Sequence, residues 1–70
     1  MIDRDETISI AMKNAGQVYR DLSVYRVEAV LKDGKWYVDF EFADKDMDGG
    51  GPHFVIDAET GEIIGSRFDQ

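Results

Sequence analysis

Cysteine is missing from this chain, which excludes a disulfide framework and any thiolate metal site. A core worth about 3–5 kcal/mol must then hold it, unless it associates with something. Long apolar runs are missing too. None approaches the ~20 residues of a membrane-spanning helix, and no basic stretch followed by an apolar one opens the chain as a signal peptide would. The expectation is a soluble, cytoplasmic protein with no membrane partner. Positive charge is scarce: eight Lys and Arg against fifteen Asp and Glu give a net charge of −7, and the basic residues are scattered singly. Nucleic-acid binding needs a basic surface that displaces counterions, so that class is excluded. An acidic surface favours solubility and steers a basic partner in a salt-dependent way.

There is one histidine, His53, and one proline, Pro52. A general base needs an oriented partner beside a nucleophile or water site, and the hydroxyl that strand pairing would bring nearest, Ser66, belongs on an open sheet face. The carboxylates Glu28 and Asp39 read as a solvated cross-strand pair without a pocket. Gly49-Gly50-Gly51 lacks the spacing and the following helix of a phosphate-binding loop. No catalytic residue and no cofactor is expected, and the chain is read as a non-enzyme. Seventy residues make one domain, 1–70, and such a chain buries only about 60% of the surface its unfolded form exposes.

What is present is a pattern of one helix and two hairpins. Ile8, Ala11, Met12, Ala15, Val18, Tyr19 and Leu22 recur at steps of three and four, one face of a helical period. Asp3 and Glu6 have capping-box spacing, and Asp5 and Glu6 suit the positive end of the helix dipole. The helix starts near 4 and runs to 15, with room to continue to 20 because the apolar spacing passes Gly16. A link at Asp21-Leu22-Ser23 follows.

Residues 25–32 and 35–43 alternate around Asp33-Gly34, whose positive φ angles suit a two-residue type I′ turn. That turn sets the register. Leu31 faces Trp36, Ala29 faces Val38, Val27 faces Phe40 and Tyr25 faces Phe42 on an apolar face that takes the helix. The other face carries Val30 with Tyr37, Glu28 with Asp39, and Arg26 with Glu41. A second hairpin, strands 53–57 and 62–68, closes through Asp57-Ala58-Glu59-Thr60-Gly61. If Asp57 faces Glu62, Ile56 meets Ile63 and Phe54 lies by Gly65, while Val55 meets Ile64 and His53 meets Ser66 on the opposite face. One helix covers one face, so Val30, Tyr37, Val55 and Ile64 are left exposed. They read either as scattered surface hydrophobes or as a contact surface.

Asp44-Lys45-Asp46-Met47-Asp48-Gly49 matches the opening of a calcium loop. The twelfth position is Val55 where a bidentate glutamate belongs, and strands flank the loop where an EF-hand has helices. Asp44, Asp46 and Asp48 are therefore weak metal candidates, and a solvated acidic connection is the simpler reading.

The order helix, hairpin, then Phe54-Val55-Ile56-Asp57-Ala58-Glu59-Thr60-Gly61-Glu62-Ile63-Ile64 resembles the PepSY-type repeat, which ends in an apolar strand, Asp-Ala-x-Thr-Gly-Glu and another apolar strand. The string Gly49 to Asp57, following Trp36-Tyr37-Val38-Asp39-Phe40, is similar to small bacterial proteins grouped with cystatin-like-fold immunity proteins of polymorphic toxin systems. That likeness spans roughly residues 5 to 68. It implies a helix on a curved antiparallel sheet and a role in binding another protein, by restraining a peptidase or neutralising a toxin. It brings no transferable set of functional residues.

The resulting expectation is an α+β domain, one N-terminal helix packed on a four-stranded antiparallel sheet in the order α-β-β-β-β. Its role is that of a non-catalytic protein-binding module, inhibitor-like or immunity-like. Val30, Tyr37, Val55 and Ile64 form the contact surface, with Glu28, Asp39 and Glu41 as an acidic rim. The partner is another protein, a basic one by charge, or a second copy in a homodimer. The alternatives are a calcium-binding loop domain through Asp44, Asp46 and Asp48, and a structural homodimer with no other ligand.

Overall fold

In the computed structural model of the chain, the residues described are 1–16, 25–43 and 50–68. Val18, Tyr19, Leu22, the continuation of the helix to 20 and the loop with Asp44, Asp46 and Asp48 lie outside them. Asp33 and Gly34 have φ of 53° and 74°, the pair of positive values a type I′ turn requires. They join β1 (Tyr25–Lys32) to β2 (Lys35–Phe42) in the expected register, from Lys32 against Lys35 to Tyr25 against Phe42. The chain continues into β3 (Gly50–Asp57) and β4 (Ile63–Phe68), and the four strands form one antiparallel sheet in sequence order. With α1 (Arg4–Ala15) ahead of them, the fold is α+β of the order α-β-β-β-β.

Two corrections to the strands follow from bulges. β3 begins at Gly50 where residue 53 was expected, because the glycines and proline read as a hinge belong to the strand. Asp39 pairs with His53 and Glu41 with Gly50, so Gly51 and Pro52 together stand against Phe40. A bulge is where a sheet tolerates a proline, which has no N–H to give. Gly51 is required by a close approach: a Cβ there would lie 2.8 Å from Tyr25 Cε1 and 2.9 Å from Phe40 Cβ. The second bulge is in β4. Ile56 pairs with Ile63 as expected, but Val55 pairs with Gly65, Phe54 with Ser66 and His53 with Arg67. Ile64 is the extra residue, so the expected pairings of Val55 with Ile64, Phe54 with Gly65 and His53 with Ser66 are each off by one.

One face of the sheet and α1 enclose the core: Trp36, Val38, Phe40, Phe54 and Ile56 from the strands, Ala11 and Ala15 from the helix, and Ala58 from the turn. Edge contacts among Tyr25, Phe40 and Phe54 and a stacked Tyr25–Phe42 pair at 5.1 Å fill its β1 end. The helix begins as expected, with Asp3 accepting the Glu6 N–H at 2.8 Å. It ends at Ala15, with Gly16 as its C-cap. Its buried face is rotated from the expected stripe. Thr7, Ala11 and Ala15 face the sheet with Ile10 packed beside them, whereas Met12 is 42% exposed. Two alanines and a threonine let the helix axis come close to the sheet, and Thr7 satisfies its hydroxyl locally by donating to the Asp3 carbonyl at 2.7 Å.

The turn between β3 and β4 fastens the two ends of the fold together. The Asp57 carboxylate accepts the Glu59 N–H, the Thr60 hydroxyl accepts the Glu62 N–H, and Gly61, at φ 78°, donates to the Asp57 carbonyl. Ala58 at its centre is fully buried, donates to the Gly34 carbonyl and accepts the Ile2 N–H at 2.7 Å. The Ile2 carbonyl in turn accepts from Trp36 Nε1 at 3.2 Å. No described helix is long and apolar enough to cross a membrane.

Candidate functional site: the open face of the sheet

Strand alternation sends every second side chain of each strand away from α1. Among the described residues no element packs on that second face. The strand order arranges it in rows that cross the sheet. The central row is Val30, Tyr37, Val55 and Gly65. Val30 is 57% and Tyr37 38% exposed, and Val55 is half-buried. Of the expected contact residues, the structure therefore aligns Val30, Tyr37 and Val55. Ile64 is 51% exposed but is displaced from the row by the bulge, and Gly65 takes its place, leaving Val55 uncovered toward the β4 edge.

A charged row flanks the apolar one on each side. On one side stand Glu28, Asp39, His53 and Arg67 in consecutive strands, on the other Lys32, Lys35 and Asp57. Beyond the first of these rows lies the Arg26–Glu41 pair. The expected acidic rim is present in position, but its charges are engaged within the chain. Asp39 Oδ1 lies 2.7 Å from His53 Nδ1, and Arg26 Nη2 reaches Glu41 at 3.3 Å and Glu28 at 3.9 Å. The Arg26 contacts are solvent-exposed and individually weak. Four of the chain's eight Lys and Arg residues, Arg26, Lys32, Lys35 and Arg67, are on this face. It is close to charge-balanced while the chain as a whole carries −7.

The Asp39–His53 contact is not legible in the sequence. Alternation puts both residues on the open face, but bringing them together needs β2 beside β3 and the register that the Gly51-Pro52 bulge imposes. An open depression of about 230 Å³ lies alongside, lined by His53, Val55, Gly65, Ser66 and Arg67. Ser66 pairs with Phe54 across the ladder, not with His53. Among the described residues no group of three or more His, Asp or Glu side chains is placed to hold a metal ion. The chemistry this face offers is contact: an aromatic and two branched aliphatic side chains at the centre, and charges of both signs around them. The chain matches no family model, no curated protein sequence and no solved structure.

Proposed function

We propose that the chain is a cytoplasmic, non-catalytic protein-binding module that docks another protein on the open face of its sheet, as an inhibitor or immunity-type protein does when it occludes its target. The observation that carries this reading is the row Val30, Tyr37, Val55, apolar and solvent-accessible across three adjacent strands on the face turned away from the helix. Isolated surface hydrophobes need no explanation; a contiguous row bordered by charged residues has the composition of an interface centre and its rim. Tyrosine at the middle of such a row is a residue type on which binding energy concentrates.

The test is capture from the native cell extract on immobilised wild type and on Tyr37→Lys, with the fold of the variant checked by circular dichroism. The expected result is a protein retained by the wild type and lost by a folded Tyr37→Lys. Retention of the same proteins by both forms would remove the open face from the reading.

A further inference from the structure

We infer that the open face is self-complementary and that its occupant is a second copy of this chain, stacked face to face about a two-fold axis running along the Val30–Tyr37–Val55 row. The inference rests on the reading of the open face as a protein-docking surface, and any other target would have to compete with the second copy for it.

A two-fold axis lying in the interface along the central row keeps each strand over its own counterpart and exchanges the two sides of the row. Val30, Tyr37 and Val55 then meet their own equivalents. Two residues to either side, Lys32 of one copy lies over Glu28 of the other, Lys35 over Asp39, and Asp57 over His53 with Arg67 next to it. Each position meets a group of opposite sign or, for Asp57, a hydrogen-bonding imidazole beside an arginine. An isologous interface requires this kind of self-matching, and few arrangements of charge provide it.

Within one chain the same arrangement is unfavourable. Lys32 sits directly opposite Lys35, and Glu28 directly opposite Asp39, and like charges facing each other across a strand pair destabilise a sheet. Arg26 and His53 relieve the acidic pair. Among the described residues no carboxylate forms an ion pair with either lysine. Lys35 has Asp57 opposite it on its other side, whereas Lys32, on the edge strand β1, faces no carboxylate across the described strands, and a facing copy supplies one in Glu28.

The size is consistent with a weak dimer. Three strands of eight residues and one of six, at ~4.8 Å spacing and ~3.3 Å rise, give a footprint of just under ~500 Å² per copy, or about 1,000 Å² in total, the lower bound for a specific interface. Sheets stacked face to face pack ~10 Å apart and rotate by about 30° from alignment, displacements that lysine side chains span.

Charge reversal on β1 provides the test, because a two-fold contact makes a prediction that no other does. The purified wild-type chain is expected to show reversible self-association by sedimentation equilibrium. In a homodimer of Lys32→Glu, a carboxylate at the substituted position faces Glu28 of the other copy; in a homodimer of Glu28→Lys, an ammonium group at the substituted position faces Lys32. Each variant alone is expected to dimerise roughly tenfold more weakly than wild type in low salt. Mixed in equal amounts, the two are expected to form heterodimers of near wild-type affinity, since both cross-copy contacts become opposite in sign. Circular dichroism checks each fold, and Tyr37→Lys is expected to abolish both homodimer and heterodimer. A monomer at all concentrations overturns the inference, as does a dimer indifferent to the reversals or a mixture no tighter than its components. In those cases Tyr37-dependent capture of a different protein would leave the protein-binding reading standing, and loss of that dependence would remove both.

Discussion

At the scale of single residues, two glycines of this fold are needed for different reasons, and the difference is measurable. Gly34 has a φ of 74° with nothing within 4 Å of where a Cβ would be, so an alanine there suffers only the left-handed backbone. Gly51 lies in the β3 bulge, where the obstacle is space. A Cβ would be under 3 Å from both the Tyr25 ring and Phe40 Cβ, and 3.0 Å from the Phe40 carbonyl. The expected cost in a urea titration is about 1 kcal/mol for Gly34→Ala and about 3 kcal/mol for Gly51→Ala, the upper range for overpacking. Equal costs would mean that the bulge opens readily and that Gly51 is not what allows β3 to lie against Phe40. The same residues show what is readable beforehand. Asp33-Gly34 announces its turn because a positive φ pair has few sequence solutions. Gly51-Pro52 reads equally well as a hinge, because its demand comes from Tyr25 and Phe40, residues distant in sequence.

At the scale of elements, legibility follows how local the determining contact is. The first hairpin is predictable residue for residue because a two-residue turn leaves the register no freedom. The second is predictable in place but not in register. Asp57 to Gly61 form a longer turn, and Ile64 enters as an extra residue that no local signal marks. That single insertion moves Gly65 into the apolar row and Arg67 next to His53, so the composition of the candidate site depends on a feature the sequence does not reveal. The helix shows another limit. Counting apolar residues finds Ala11 and Ala15, which are buried, but adds Ile8 and Met12 and omits Thr7, which completes the packed face because its volume is small and its hydroxyl is satisfied locally. A pair of substitutions checks the orientation. Met12→Lys is expected to change stability by less than about 0.5 kcal/mol as an exposed substitution. Ala11→Leu, which forces a larger side chain into a fully buried position, is expected to cost about 1–3 kcal/mol. Reversed magnitudes would mean that Met12 is packed and Ala11 open.

At the scale of the whole molecule, stability and association are expected to be one property. The chain has no cysteine and a single described helix for a four-stranded sheet, and a domain of this size retains only a few kcal/mol in isolation. If the open face is covered by a second copy, unfolding must also separate the two chains, and the midpoint of thermal unfolding then depends on protein concentration by mass action. Tenfold in concentration corresponds to about 1.4 kcal/mol per dimer, or about 0.7 kcal/mol per chain. For a domain of this length that raises the midpoint by roughly 3–6 °C. Tyr37→Lys, which puts two ammonium groups in contact on the two-fold axis, is expected to flatten this dependence while leaving the midpoint at the lowest concentrations close to wild type. Its side chain projects from the face opposite the core and takes no part in the packing under α1. A midpoint that rises equally with concentration in both forms would place the association on another surface, such as the open edge of β1 or β4. A midpoint independent of concentration in the wild type would mean that the core and the turn centred on Ala58 hold the chain unaided.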